Sequence, residues 1–332
     1  MDQNKKVAVF VETSCDYGRR ILAGVAEYLR TNLNWTVFLE QNDLNARPHD
    51  WILSNQWDGI LCRQTDPVIA NILISSGIPL VDLNDQHQIP ALSRVGSDHN
   101  AIGMMGAQYL KNKGFRHFAY CGFSDELWSR TRKEGFEKTL AESGSLIHLW
   151  ESPWTDRSAD YWTNDIIQIR HWIKNLPKPI GIMAANDTRA LHLIQACNQI
   201  GIVIPEQVAV IGVDDEEMFC ELVSPRLSSI RPDCERIGFQ AAELLDQMMS
   251  GSASSVKRIV IPPRGIIIRP STDIGAVSDS LVVKAIRLFR ITDSARCDIN
   301  NVARELNVST EMLEKRFRRT LNCSCADFIR SI

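Results

Sequence analysis

Short, continuous apolar runs alternate with stretches of helical periodicity through residues 7–272. VAVFVE (residues 7–12) has no polar alternation, the pattern of a strand covered on both faces in a parallel sheet. A helix over residues 17–32 follows, with Ile21, Leu22, Val25 and Leu29 at helical spacing. TVFLE (36–40), GILC (59–62), PLVDL (79–83) and RVGSD (94–98) are further strands. A helix over 100–113 then closes at Gly114, a residue suited to the left-handed turn after a helix. HFAYCG (117–122) opens a second series, continued by LIHLW (146–150), GIMAAND (181–187) and VAVIGVDD (208–215). Two successive series of this kind predict an α/β protein of two lobes, each built on a parallel sheet.

After Pro232, residues 233–251 read as one amphipathic helix returning to the first lobe, with Ile237, Ala241, Leu244, Leu245 and Met248 inward. RIVIPP (258–263) and GIIIRPST (265–272) are expected as strands crossing back to the second lobe. Repeated crossings of this sort make a hinge. Small residues at 275–280 mark a boundary, giving a first domain of 1–274 and a second of 278–332. The second domain is all-helical. Leu281, Val282, Ala285, Ile286 and Phe289 share one helix face, and residues 298–321 read as two helices joined by a tight turn. Asp298 and Ser309 are candidate caps, and Asn307 tolerates the left-handed conformation such a turn needs. Val302, Leu306, Val308, Leu313 and Phe317 form the expected shared core.

Charge separates the two parts. Residues 278–332 hold ten Lys/Arg and seven Asp/Glu, so +3; the whole chain is −3, which leaves −6 on the remainder. No apolar run reaches the length of a membrane-spanning helix, and the N-terminus lacks a signal-peptide pattern, so a cytoplasmic protein with no membrane partner is expected. Nine cysteines without regular spacing argue against a disulfide framework. The Cys323-x-Cys325 pair has no partner pair for zinc, and no metal or cofactor is expected. The chain also lacks a glycine-rich phosphate loop, G-x-S-x-G and H-E-x-x-H. Asp214 and Asp215, adjacent in one chain, are poorly placed to flank a substrate, so an enzyme is not expected.

Ligands of open parallel sheets bind beyond the carboxyl ends of the strands. The polar residues there are 12–17, Asp98, Trp128 with Arg132, Asn186 with Asp187, and Asp214 with Asp215. The ordered motifs R-x-x-G-F (132–136), A-A-N-D-T-R-A (184–190), I-P-E-Q-V-A-V-I-G-V-D-D (204–215) and S-S-I-R-P-D-C-E-R-I-G (228–238) resemble the effector domain of the lactose/galactose repressor superfamily. That domain is built like periplasmic sugar-binding proteins of type I. V-A-R-E-L-N-V-S-T-E-M-L-E-K-R-F-R-R (302–319) resembles the first helix-turn-helix of arabinose-type regulators. The combination, with its W-x-x-x-R at 128 and 132, is similar to the xylose operon regulator family.

The resemblance implies a sugar effector, most plausibly a pentose such as xylose, with Tyr17, Arg19, Asp98, Trp128, Arg132, Asn186, Asp187 and Asp214 as ligand-binding residues. Carboxylates, Arg and Asn pair sugar hydroxyls while an aromatic ring covers the C–H face. For Asn186, Asp187 and Asp98 the helix-cap role stays open beside ligand contact, and Asp215 is read as a cap or loop residue. Trp150, Trp154, Trp162 and Trp172 are read mostly as packing, and His117 and His192 as structural. Thr310, Glu311, Lys315, Arg318 and Arg319 are the candidate DNA contacts on the second helix of the turn. The implied partners are an operator DNA, a second copy of the chain and RNA polymerase. The family carries two helix-turn-helix units, of which residues 278–332 hold the first. The alternative expectation is therefore a sugar sensor that does not bind DNA by itself.

Overall fold

The computed structural model describes residues 4–32, 34–39, 41, 43, 56–141, 144–154, 160–252, 255–273, 277, 279–291 and 298–331. The first lobe contains β1 (Lys5–Phe10), α1 (Asp16–Thr31), β2 (Trp35–Leu39), β3 (Gly59–Cys62), α2 (Pro67–Ser75), β4 (Leu80–Asp82) and β5 (Ser93–Ser97). The second contains α3 (His99–Asn112), β6 (His117–Phe123), α4 (Leu127–Ala141), β7 (Ile147–Ser152), α5 (Tyr161–Asn175), β8 (Ile180–Ala184), α6 (Asp187–Gln199), β9 (Val208–Val213), α7 (Glu217–Leu222) and β10 (Ser228–Arg231). Then α8 (Cys234–Met249) and β11 (Arg258–Ile261) return to the first lobe, and β12 (Gly265–Ile267) to the second.

The sheets run β11-β5-β4-β3-β1-β2 and β12-β10-β9-β8-β6-β7. Every pairing is parallel except that of β12 with β10. Central strands β3, β8 and β9 are buried at every position, as their unbroken apolar runs require. RIVIPP departs from expectation. Its strand β11 pairs with β5 at the edge of the first sheet, from Arg258 opposite Arg94 to Ile261 opposite Ser97, and only β12 crosses back. Its alternating exposure is that of an edge, with Val260 out and Ile261 in, and a short apolar run does not say which sheet it joins. The chain thus crosses between lobes after β5, β10 and β11.

Each lobe packs one helix pair through reciprocal glycines. A Cβ on Gly24 would stand 1.9 Å from the Glu235 carbonyl, and one on Gly238 1.9 Å from that of Ile21, so α1 and α8 touch backbone to backbone. In the second lobe Gly103 meets the Arg132 carbonyl at 1.9 Å and Gly135 that of Asn100 at 2.1 Å, which fixes α4 against α3. This second pairing sets the depth of Arg132.

The C-terminal helices are α9 (Ser280–Ile291), α10 (Ile299–Glu305), α11 (Thr310–Leu321) and α12 (Cys325–Ser331). Val302, Leu313 and Phe317 are buried with Phe289 and Phe328, and Leu306 and Val308 pack against them. Asn307 takes the left-handed turn with φ +54°. Ser309 caps α11 by accepting from Met312 N, whereas Asp298 occupies the cap position of α10 without a side-chain bond to its backbone. Residues 274–276 and 278, on the expected domain boundary, lie outside the described residues.

Candidate functional site

The strand ends of the two lobes face each other across a cavity of about 700 Å³, within the range of about 300–1,000 Å³ usual for small-molecule sites.

The first-lobe wall is a chain of buried ionic groups. Glu12, just past β1, is fully buried and accepts at Oε1 from Arg63 Nη1 at 2.8 Å. Its Oε2 has no partner among the described residues, and neither has Gln64 Nε2. Arg63, directly after β3, also donates from Nη2 to Asp85 Oδ2 at 3.1 Å, and its guanidinium lies 4.5 Å over the Tyr17 ring. Tyr17 donates its hydroxyl to Asp85 Oδ2 at 3.2 Å and shares a 2.8 Å bond with Ser97 Oγ. Burial opposes ionisation of Asp85, but the close approach of His99 and the charges of Arg63 and Arg94 outweigh it and hold the carboxyl well below the usual range.

The second-lobe wall centres on Arg132, which is only 2 % exposed. Its Nη1 donates to Ala185 O at 2.5 Å, Nη2 to Asp214 Oδ1 at 3.0 Å and Nε to His99 Nδ1 at 3.3 Å. An arginine N–H can only donate, so His99 Nδ1 is the acceptor and Nε2, 3.1 Å from Asp85 Oδ1, carries the proton. Burial, opposed by Asp85, lowers the His99 pKa and keeps this ring neutral. Trp128 lies 4.9 Å from the Arg132 guanidinium and donates Nε1 to Glu126 Oε2 at 2.5 Å.

Asn186 caps α6, accepting from Arg189 N at 2.9 Å through Oδ1, so the amide nitrogen is not used by the cap. Asp187 is buried, and its oxygens already accept from Ser229 Oγ at 2.7 Å and Glu216 N at 2.8 Å. Burial and the nearby Asp214 push its carboxyl well above the ordinary range. Asp214 takes φ +104° at the end of β9, a strained conformation that turns its carboxylate to Arg132.

Bonds also span the cleft. Asp16 N donates to Glu216 Oε2 at 2.6 Å, and Arg19 Nη2 to Glu216 Oε1 at 3.3 Å. On the opposite flank Gln86 donates Nε2 to Asp125 O at 2.7 Å and accepts from Leu127 N at 2.5 Å. Arg20 reaches the Asp214 carbonyl.

Seven of the eight expected ligand residues therefore line one cavity: Tyr17, Arg19, Trp128, Arg132, Asn186, Asp187 and Asp214. Asp98 does not. It caps α3 by accepting from Ala101 N at 2.8 Å and borders a separate cavity of about 300 Å³. Asp215 sits in a loop beside Arg269, at 2.9 Å. Trp154, read as packing, lines the cavity, edge-on to Phe123 at 4.6 Å. Glu12, Arg63, Asp85, His99, Glu126 and Glu216 were not singled out as binding residues. Glu12, Arg63 and Asp85 obey the same strand-end rule but sit in no recognisable motif. On α11, Glu311, Lys315, Arg318 and Arg319 are exposed and Thr310 opens the helix. Arg318 Nε is bonded to Glu314 at 2.8 Å, and Arg319 lies 3.9 Å from Asp279.

Fold and cleft together define a two-lobed effector-binding domain of the periplasmic-binding-protein-like type. Family comparison agrees: a periplasmic binding protein-like domain matches residues 107–272 and a XylR N-terminal domain matches residues 6–100. The xylose operon regulatory protein of Haemophilus influenzae is 30 % identical over 329 residues, 97 % of this chain and 84 % of the relative. That of Escherichia coli K12 is 28 % identical over 324 residues, 94 % and 81 %. The solved structure of a xylose-binding transcription activator superposes with TM-score 0.85 at 26 % identity, covering 100 % of this chain and 86 % of that one. A cellobiose-complexed regulator shares the fold at TM-score 0.66 and 21 % identity, covering 82 % and 86 %. The chain belongs to the family of xylose operon regulatory proteins and is a sugar-responsive regulator of transcription, not an enzyme.

Proposed function

We propose that the cleft binds a small uncharged sugar, a pentose such as xylose, and that the lobes close on it to reposition the C-terminal helices on operator DNA. The observation that carries this reading is that polar side chains from both lobes line one cavity, among them Glu12 and Gln64, each of which keeps one polar atom, Oε2 and Nε2, without a partner among the described residues. An unpaired buried polar group costs about 1–3 kcal/mol, and sugar hydroxyls, which donate and accept, suit both atoms. Leaving out Asp187, whose ionisation burial opposes, six acidic side chains (Glu12, Asp66, Asp85, Glu126, Asp214, Glu216) face three guanidinium groups (Arg19, Arg63, Arg132) across the cavity, which disfavours a phosphorylated sugar or sugar acid.

Arg132, Asp214, Asn186 and Tyr17 bond hydroxyls, Trp128 covers a ring face, and Arg19 closes the rim; Asp187 contributes only the lone pairs left by Ser229 and Glu216. Residues 1–274 form the sensor and 278–332 the reader. In this reading the protein works in the cytoplasm as a homodimer, with Thr310, Glu311, Lys315, Arg318 and Arg319 facing DNA and RNA polymerase recruited as output. Among the described residues no helix is long and apolar enough to cross a membrane.

Thermal unfolding against a panel of neutral sugars, paired with a mobility-shift assay on operator DNA, tests both halves. A ligand at about 100 times its Kd adds about 2.7 kcal/mol of stability. A sugar that raises Tm and changes the DNA shift supports the whole reading. A sugar that raises Tm in a chain that leaves DNA unshifted supports instead a sensor without DNA binding of its own.

A further inference from the structure

The C-terminal helices pack against the second lobe at the loop of residues 200–207. Val203 is buried within the apolar cluster of α9–α12, beside Val277, Val282 and Val283. Glu206 is 0 % exposed, and Arg290 of α9 grips both its oxygens, Nη1 to Oε2 at 3.0 Å and Nη2 to Oε1 at 2.9 Å. The same Nη1 donates to Ile204 O at 2.5 Å, and Val277 N donates to Glu206 O at 3.3 Å. The Arg290 guanidinium also lies 5.8 Å from the centre of the Phe328 ring, so this one side chain of α9 bridges the loop and α12. Gly201 takes φ +70°, a conformation that favours glycine, and the Arg287 guanidinium of α9 lies over it.

The position of this loop in the lobe matters more than its contacts. It joins the end of α6 to the start of β9. The opposite end of α6 is capped by Asn186 and begins at Asp187, and the opposite end of β9 runs into Asp214. Both elements thus carry cleft-wall residues at one end and the docking loop at the other. The 13 residues of α6 span about 20 Å at 1.5 Å per residue. Closely packed helices and strands move as rigid bodies, so a shift imposed on Asn186, Asp187 and Asp214 is delivered to residues 200–207.

We propose that the 200–207 loop, clamped to α9 by the Glu206–Arg290 pair, is the joint through which occupancy of the cleft sets the position of the C-terminal helices. Glu206 and Arg290 are positioning residues that touch neither sugar nor DNA. The inference rests on the proposed sugar reading. Breaking the clamp separates two responses that the intact chain makes together.

The test is hydrogen exchange on the full chain with and without xylose, comparing the wild type with two variants. Arg290→Ala strands the buried Glu206 carboxylate and destabilises the joint. Glu206→Gln with Arg290→Met leaves no unpaired charge, so it keeps the fold while removing the clamp. In the wild type xylose slows exchange at residues 12–19 and 186–189, and also at 200–207 and 280–291. In the double variant the cleft segments keep their response within about twofold, while that of 280–291 falls by about fivefold or more, the lower range of ordinary allosteric coupling. A response at 280–291 that survives in the double variant overturns the proposal. So does wild-type protection of the cleft with none at 280–291. A wild-type cleft that ignores xylose here, and every neutral sugar of the thermal-unfolding panel, overturns the sugar reading itself, and this inference with it.

Discussion

The two walls of the cleft solve the same problem differently. The second-lobe wall is largely self-sufficient: Asn186 caps α6, Asp187 holds Ser229 and the backbone of Glu216, and Arg132 is bonded to Ala185, Asp214 and His99. The first-lobe wall is left incomplete, with Glu12 Oε2 and Gln64 Nε2 buried and unpaired. A wall that is satisfied without ligand is pre-organised. A wall with unmet hydrogen bonds gains most when a ligand arrives. The contrast assigns shape and rigidity to the second lobe and the gain on closure to the first.

Arg132→Met attacks the centre of the pre-organised wall and has the largest expected effect. Truncating one partner of a buried, bonded charge pair costs about 2–5 kcal/mol, so calorimetric titration is expected to show sugar affinity falling by about 30-fold or more, at about 1.4 kcal/mol per tenfold. Glu12→Gln comes next, with about tenfold weaker affinity, because one acceptor that the ligand pairs becomes a donor. Asp187→Ala is expected to behave in the opposite way. It removes the acceptor for Ser229 and Glu216, so Tm falls by the equivalent of about 1–3 kcal/mol, more than the loss in binding energy. If Asp187→Ala abolishes binding in a stable protein while Glu12→Gln is silent, the roles of the two walls are reversed.

What the sequence made legible divides along the same line. The second-lobe wall lies in local motifs, A-A-N-D-T-R-A and V-I-G-V-D-D, where a strand end, a cap and a charged residue are neighbours in the chain. The first-lobe wall is assembled from Glu12, Arg63 and Asp85, which follow three different strands and meet only through sheet order. No spacing along one chain encodes such a meeting. Asp98 stands apart from the other candidates because a strand-end aspartate before a helix serves equally well as a cap, and here its carboxylate turns to Ala101 N. The strand at 258–263 went to the unexpected lobe because an apolar run records burial, not which sheet buries it. The α/β series, the two lobes and the helical turn around Asn307 were all legible from periodicity and turn chemistry.

Acid sharpens the comparison further. Asp85 has a lowered pKa in the folded state, so its contribution is present above the ordinary carboxylate range and is lost as pH falls through it. His99 is lowered from 6.5, so the unfolded chain takes up a proton before the folded one does, and stability begins to fall as pH drops below that value. Tm is therefore expected to decline on acidification from pH 7 through the carboxylate range. The decline should be smaller in His99→Gln, measured by thermal unfolding across pH. The smallest effect belongs to Gln86→Ala. Each cross-cleft bond contributes about 0.5–1.5 kcal/mol, and their loss reduces the closed population, weakening sugar binding by about fivefold and lowering the sugar-free Tm only slightly.

The most direct test of the account is a calorimetric titration of the full chain with xylose and, separately, with a phosphorylated pentose. The account predicts one saturable site for the neutral sugar, lost in Arg132→Met, and no binding of the phosphorylated one. Binding of the phosphorylated sugar, or none of either by a folded chain, would contradict it.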